Sequence, residues 1–174
     1  MKFIFSLAAV LLLALIFLLV FRRSSTRTER SIPQDSVLLA YPLRHGGWVQ
    51  IRREVSGLQP THEERARRVI EELTLPDSDP AVFPPLPETF PLRTAYLDGS
   101  RLYLDFSRDA VAGLSGGTEE EIILLESLKR TLAWNLPNVD HLQILIDGQP
   151  RRTLGAAGED AGHIDIWTPI ALAK

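Results

Sequence analysis

The chain contains no cysteine, which excludes disulfide bonds, thiolate zinc sites and a lipid-bearing cysteine. Charge, proline and glycine are also absent from residues 3–21, an apolar run long enough to span a bilayer as a helix. A cleaved signal peptide is the alternative, but it has a shorter apolar core and a small-residue cleavage site, whereas this run continues into Arg22 and Arg23. We therefore expect residues 1–22 to form an uncleaved transmembrane helix with its span at 3–21.

Basic residues are concentrated near the start of the chain. Residues 1–30 hold five Lys or Arg side chains against Glu29 alone, a net charge of +4. Since the whole chain carries −3, the remaining residues carry −7, which argues against a nucleic-acid partner. Residues 23–35 are polar and basic without apolar periodicity, and they predict a solvated tether whose arginines contact lipid headgroups.

Residues 36–174 are enough for one hydrophobic core, and we expect a single domain there. Its first half predicts a hairpin from residues 37–41 and 48–55, which flank a Gly46-Gly47 break. Thr61 and Glu64 form a capping box that opens a helix with an apolar stripe at 66, 69, 70 and 73. Six of the twelve prolines lie in residues 76–91, which predicts an extended loop packed on the body.

The second half predicts another hairpin from residues 94–97 and 101–106. A second capping box, Thr118 to Glu121, opens a helix with its stripe at Ile122, Leu125, Leu128 and Leu132. A strand over 139–146 and a short one near 162–167 follow. The order ββαββαβ(β) predicts an α+β fold, with two helices packed on one face of a mixed or antiparallel sheet.

Several short motifs occur in an order typical of one bacterial domain family. They are Leu102–Ser107 (LYLDFS), Gly116–Glu119 (GGTE), Thr131-Leu132, Pro137–Val139, Ile144–Gly148 (ILIDG) and Gly162–Asp165 (GHID). Together they cover about residues 36–170, and over that length the chain resembles the GerMN domain. The resemblance implies a fold similar to ring-building modules and a place in sporulation, germination or other envelope proteins, outside the cytoplasmic membrane. It implies no enzymatic activity.

The chain departs from the best-known members of that family in having one domain copy and no lipid-bearing cysteine. The arginines after residue 21 would by themselves place the domain in the cytoplasm, because Lys and Arg favour that side. Charge rules apply poorly to long domains, so we follow the resemblance and expect a single-pass membrane protein with an extracytoplasmic domain.

Asp105, Ser107 and His163 raise the hypothesis of a serine hydrolase. No G-x-S-x-G elbow surrounds the serine, which follows a strand where Ser commonly caps or turns. Glu119, Glu120 and Glu121 suit the first turn of a helix better than a pair of catalytic acids. We therefore assign no catalytic residue.

No metal or cofactor ligands are assigned either. His45, His62, His141 and His163 have no metal-ligand spacing, and the glycine-rich segment 113–117 lacks the lysine of a nucleotide-binding loop, leaving at most a weak anion or partner contact. Trp48, Trp134 and Trp167 are too far apart in sequence to define a sugar platform. We expect a non-enzymatic module that contacts envelope proteins or itself. The alternative is a module that binds peptidoglycan or another glycan, and a hydrolase ranks last.

Overall fold

The computed structural model describes residues 35–57, 61–114, 117–155 and 162–172. The expected transmembrane span 3–21 and residues 23–34 of the expected tether lie outside these ranges. Within them, no helix is both long enough and apolar enough to cross a membrane. All described residues belong to one compact unit, Ile32–Lys174.

The first predicted hairpin is confirmed. Strand β1 (Ser36–Pro42) pairs antiparallel with β2 (Trp48–Glu54), and Leu39 lies opposite Ile51. Gly46 and Gly47 adopt φ values of 91° and 92° in the connection, a region that L side chains rarely occupy. The two strands form a sheet of their own.

The remaining strands form a second, mixed sheet. These are β3 (Leu92–Asp98), β4 (Arg101–Phe106), β5 (His141–Ile146), β6 (Gln149–Pro150) and β7 (Ile170–Ala171). The order is β3-β4-β5-β6, β7 also pairs with β5, and only the β4–β5 pair is parallel. The predicted α+β class is confirmed, with the strands divided between two sheets.

In the described ranges, three helices accompany the sheets: α1 (His62–Leu73), α2 (Arg108–Ala112) and α3 (Thr118–Asn135). Thr61 caps α1 as predicted, because its hydroxyl accepts the Glu64 N–H at 3.2 Å. The short α2 was not predicted. Its cap is Ser107, whose Oγ accepts the Ala110 N–H at 3.3 Å.

The core lies between the helices and one face of the mixed sheet, where the inward side chains of β4 and β5 are buried: Leu102, Leu104, Phe106, Leu142, Ile144 and Ile146. The proline-rich loop packs on the body as expected, since Val82, Leu86 and Phe90 are buried. Phe90 also meets Phe106 with ring centroids 4.7 Å apart.

The predicted stripe of α3 is wrong at Ile122, which is 45% exposed, while Leu124 is buried. The physical reason is that α3 buries a second, polar face against β1. On that face Ser127, Thr131 and Asn135 follow each other at intervals of four residues and are all buried.

These three side chains bind the edge of β1 that β2 leaves open. Ser127 donates to the Ala40 carbonyl at 2.7 Å, and Thr131 Oγ1 accepts the Ala40 N–H at 2.9 Å. Asn135 accepts the Leu38 N–H at 3.1 Å and donates to the Leu38 carbonyl at 2.6 Å. The helix thus supplies the hydrogen bonds that a neighbouring strand would supply.

The second capping box is also wrong. Gly117 is the N-cap of α3 and makes no side-chain hydrogen bond, and Thr118 is already helical. The Glu121 carboxylate reaches the C-terminal segment instead, where Oε2 accepts the N–H groups of His163 at 2.9 Å and Ile164 at 3.0 Å. At 1% exposure, Glu121 is a buried clamp on this segment.

The short strand predicted near 162–167 is wrong as well, because β7 begins at Ile170. Residues 162–167 are held by other means: Gln143 Nε2 donates to the carbonyl of Ile166 at 3.2 Å, and the Ile166 N–H donates to the Arg152 carbonyl at 2.8 Å. The main chain at Gly162 lies close to the Glu121 side chain, since a Cβ at this position would lie 2.7 Å from Glu121 Oε1.

We expect Thr131→Val to destabilise the protein by about 1–3 kcal/mol, because the buried Ala40 N–H would lose its acceptor while the side-chain volume stays the same. Urea denaturation followed by circular dichroism measures the change. The matched control is Thr118→Val, an exposed position on the same helix, which should shift stability by less than about 0.5 kcal/mol. Equal effects of the two variants would contradict the role of the polar face.

We expect Glu121→Leu to speed amide hydrogen exchange at His163 and Ile164, because both N–H groups would lose their carboxylate acceptor. Residue-resolved hydrogen exchange measures the effect. Glu119→Leu changes an exposed acid in the same helical turn and should leave both amides protected. Unchanged protection in the Glu121 variant would show that the carboxylate is not the clamp.

Candidate interaction surface

The three residues of the hydrolase hypothesis have separate structural partners. Ser107 caps α2, and His163 lies beside Glu121, with Nδ1 3.9 Å from Oε1. Asp105 is buried in β4, where Oδ1 accepts the Gly148 N–H at 2.7 Å. In the described part of the chain, no hydrogen bond or ion pair joins any two of the three.

The contact between Asp105 and Gly148 joins two of the motifs that carried the family resemblance. Gly148 follows Asp147, and both have positive φ values, 77° and 52°, in the turn between β5 and β6. Asp147 in turn pairs with Arg93 at 3.1 Å and with the Arg108 side chain at 3.6 Å. The LDFS and IDG motifs therefore form one structural unit at the end of the parallel strand pair.

The other sequence candidates are distributed over the molecule. No cluster of three or more His, Cys, Asp or Glu side chains able to hold a metal ion occurs in residues 35–57, 61–114, 117–155 and 162–172. Gly113 and Gly117 line a groove with Glu119 and Glu120. The negative charge of these carboxylates disfavours the binding of an anion there. Trp48 packs against Arg130, whose guanidinium carbon lies 5.3 Å from the ring centroid.

The outer face of the mixed sheet carries an aromatic pair that sequence reasoning did not single out. Tyr96 on β3 lies opposite Tyr103 on β4, and their rings stack at 4.5 Å with an angle of 5° between the planes. Tyr96 is 43% exposed, although its neighbour Ala95 on the other face is buried. The alternation in the two strands was the available signal, because it placed both tyrosines opposite the core.

Polar groups surround this pair. The Arg101 side chain donates to the Tyr103 hydroxyl at 3.4 Å, and Asp98 lies across from Arg101 at the end of the hairpin. The pKa of the Tyr96 phenol is raised, first by partial removal from water and then by Tyr103 and the nearby acids Asp105 and Asp98. Tyr96 therefore stays a neutral phenol able to donate a hydrogen bond at physiological pH.

An exposed aromatic centre with a charged rim is the composition found at protein contact sites. We call the outer surface formed by Thr94, Tyr96, Asp98, Arg101 and Tyr103 the tyrosine face. Its two rings supply rigid apolar area, and its rim supplies directional polar groups. Such an arrangement is suited to contact with a partner.

Comparison with known proteins identifies the family. Residues 39–152, about two thirds of the chain, match the family model described as Germane, sporulation and spore germination. No sequence among the curated proteins matches this chain.

Three solved structures are similar in fold. The first GerMN domain of the sporulation protein GerM from Bacillus subtilis is 17% identical, with a TM-score of 0.58 over 78% of this chain and 96% of that one. The tandem GerMN domains of the same protein are 13% identical, with a TM-score of 0.54 over 79% and 44%. A structure named "Putative Lipoprotein from Clostridium perfringens" is 20% identical, with a TM-score of 0.54 over 78% and 86%.

The resemblance predicted from the order of the motifs is thereby confirmed. The family model covers the first hairpin from residue 39, the second hairpin, the three described helices and the Asp105–Gly148 contact. The chain belongs to the Germane family of sporulation and spore germination domains, and its fold is that of a GerMN domain.

Proposed function

We propose that this protein is a membrane-tethered, non-enzymatic module of a bacterial cell-envelope assembly, and that its tyrosine face makes the protein contacts. The observation that carries the proposal is the stacked pair on the outer face of the mixed sheet, in which Tyr96 is exposed and Tyr103 is half-buried. Tyrosine is enriched among the residues that dominate binding energy at protein interfaces.

The two faces of the mixed sheet differ in burial near the tyrosine pair. The inner side chains of β4 lie in the hydrophobic core, whereas Tyr96 on the outer face is 43% exposed. Leaving an aromatic pair in water forgoes its burial energy, which a partner would recover. The Asp98 and Arg101 charges at the rim favour a partner of matched shape over nonspecific aggregation.

The assembly and its location are supported by the family and by the start of the chain. The description of the family names sporulation and spore germination. The name of the Clostridium perfringens protein associates that relative with lipid. Residues 3–21 give this chain an apolar segment of membrane-spanning length in place of a lipid-bearing cysteine. The domain would then work at the outer surface of the cytoplasmic membrane.

We expect a photoreactive p-benzoylphenylalanine at Thr94 to give discrete protein adducts in membranes, because Thr94 is exposed on the tyrosine face while both tyrosines remain in place. The matched control carries the same group at Ser78, an exposed position in the proline-rich loop. Adding Tyr96→Ala to the Thr94 variant should abolish its adducts, and electrophoresis with mass spectrometry measures both results.

Two outcomes would contradict this role. Adducts from Thr94 that match those from Ser78 would show that the face has no preferred partner. Adducts that persist with Tyr96→Ala would show that the stacked pair does not provide the contact.

We expect alkaline phosphatase fused after Lys174 to be active and a cytoplasmic fluorescent protein at the same site to be dark, because the proposed orientation has the domain on the outer side of the cytoplasmic membrane. Activity assays on intact cells measure both reporters. Inserting the same reporters before Lys2 provides the opposite-side control. A silent phosphatase after Lys174 would reverse the proposed orientation, in agreement with the arginines that follow residue 21.

A further inference from the structure

A polar groove lies at the C-terminal side of the domain, and neither Tyr96 nor Tyr103 is among its lining residues. It has a volume of about 610 Å³ and is lined by Arg152, Thr153, Gly162, His163, Asp165 and Trp167. Trp167 is 54% exposed, more than any other large hydrophobic side chain in the described ranges. A tryptophan left this open forms a flat apolar wall beside polar groups.

The main chain that carries these side chains is fixed before any ligand arrives. Glu121 holds the N–H groups of His163 and Ile164, and Thr153 Oγ1 accepts the Gly162 N–H at 3.0 Å. Asp165 Oδ1 accepts the Trp167 N–H at 2.8 Å. A site built on a fixed main chain loses little conformational entropy on binding, which favours affinity.

The side chains of Arg152, His163 and Trp167 can make new hydrogen bonds in the groove. Within the described part of the chain, neither the Arg152 guanidinium nor the Trp167 indole N–H has a hydrogen-bond partner. The His163 side chain is 52% exposed. The groove therefore offers donors from Arg152 and Trp167, an acceptor from Asp165, and an imidazole able to do either.

We propose that this groove binds an uncharged oligosaccharide. A pyranose ring presents a C–H face, which packs on an exposed indole, and hydroxyl groups around its rim, which both donate and accept hydrogen bonds. The ring then lies on Trp167, with its hydroxyls directed to Arg152, His163 and Asp165. The proposal stands apart from the tyrosine face, because it uses none of those residues.

Other ligand classes fit the groove less well. An apolar helix or strand would need aliphatic side chains in the lining, and the lining residues that the structure describes include none. A polyanion would meet the Asp165 carboxylate in a region of the chain whose net charge is −7. An uncharged, hydroxyl-rich ligand matches the mixture of one indole with balanced acidic and basic groups.

The test is a titration of the purified full chain in detergent with two tetrasaccharides, a β-1,4-linked N-acetylglucosamine tetramer and maltotetraose. Each sugar is added up to about 10 mM, a concentration on the order of that needed to saturate a weak site. We expect at least one to shift the Trp167 indole N–H resonance and to release heat in calorimetry. Trp167→Ala should weaken that binding at least about tenfold, and Arg152→Ala should weaken it as well.

Leu75→Ala is the matched control, an exposed large side chain truncated outside both the groove and the tyrosine face, and it should bind the sugar like the parent protein. Trp167→Ala should keep its fold, because the hydrogen bonds at this residue come from its main chain. A folded Trp167 variant that binds as tightly as the parent, or a parent that binds neither tetramer, would overturn the proposal. Sugar binding without adducts from Thr94 would reject the protein-contact function alone, and the reverse result would reject the groove alone.

Discussion

The open edge of β1 is a row of main-chain N–H and C=O groups that most sheets would pair with another strand. Here the partner is α3, whose Ser127, Thr131 and Asn135 side chains bind both groups of Leu38 and Ala40. Because unpaired buried peptide groups are costly, this contact decides where the first hairpin can lie. It also explains why the strands divide into two sheets, since the helix occupies the place where a joining strand would pair.

The same helix organises the rest of the domain from its other sides. Its apolar side chains enter the core, and Glu121 in its first turn holds the segment that follows residue 161. Among the residues that the structure describes, the buried Glu121 Oε1 has no hydrogen-bond partner. The other carboxylate oxygen, Oε2, accepts two hydrogen bonds. The contact therefore satisfies both N–H groups of the segment but only one of the two carboxylate oxygens.

Elements governed by local chemistry could be predicted from the sequence, and elements governed by distant contacts could not. The Gly46-Gly47 turn, the Thr61 cap and the alternation of β4 depend on neighbours within a few residues, and the structure has them as predicted. Glu121 was misread because its partners lie 42 and 43 residues away. The polar face of α3 was missed because hydrophobic periodicity does not record a helix that binds a strand edge.

The same distinction between local and distant contacts applies to the tyrosine face and to the groove. Alternation placed Tyr96 and Tyr103 on the outer face, but their stacking depends on the exact register of two strands. The nearness of Trp167 to Arg152 depends on the Glu121 clamp and on Gln143, which no local pattern reveals. Motif order was more informative than single motifs, because LDFS and IDG meet in space through the Asp105–Gly148 bond.

The separation between β1 and α3 along the chain has a consequence for biosynthesis. The residues that complete the edge of β1 lie 87 to 97 positions further on, so they leave the ribosome after the hairpin has emerged. At about 5–20 residues per second, the edge stays open for several seconds. In this interval the nascent hairpin is most exposed to pairing with other strands, and a holding chaperone would be most effective then.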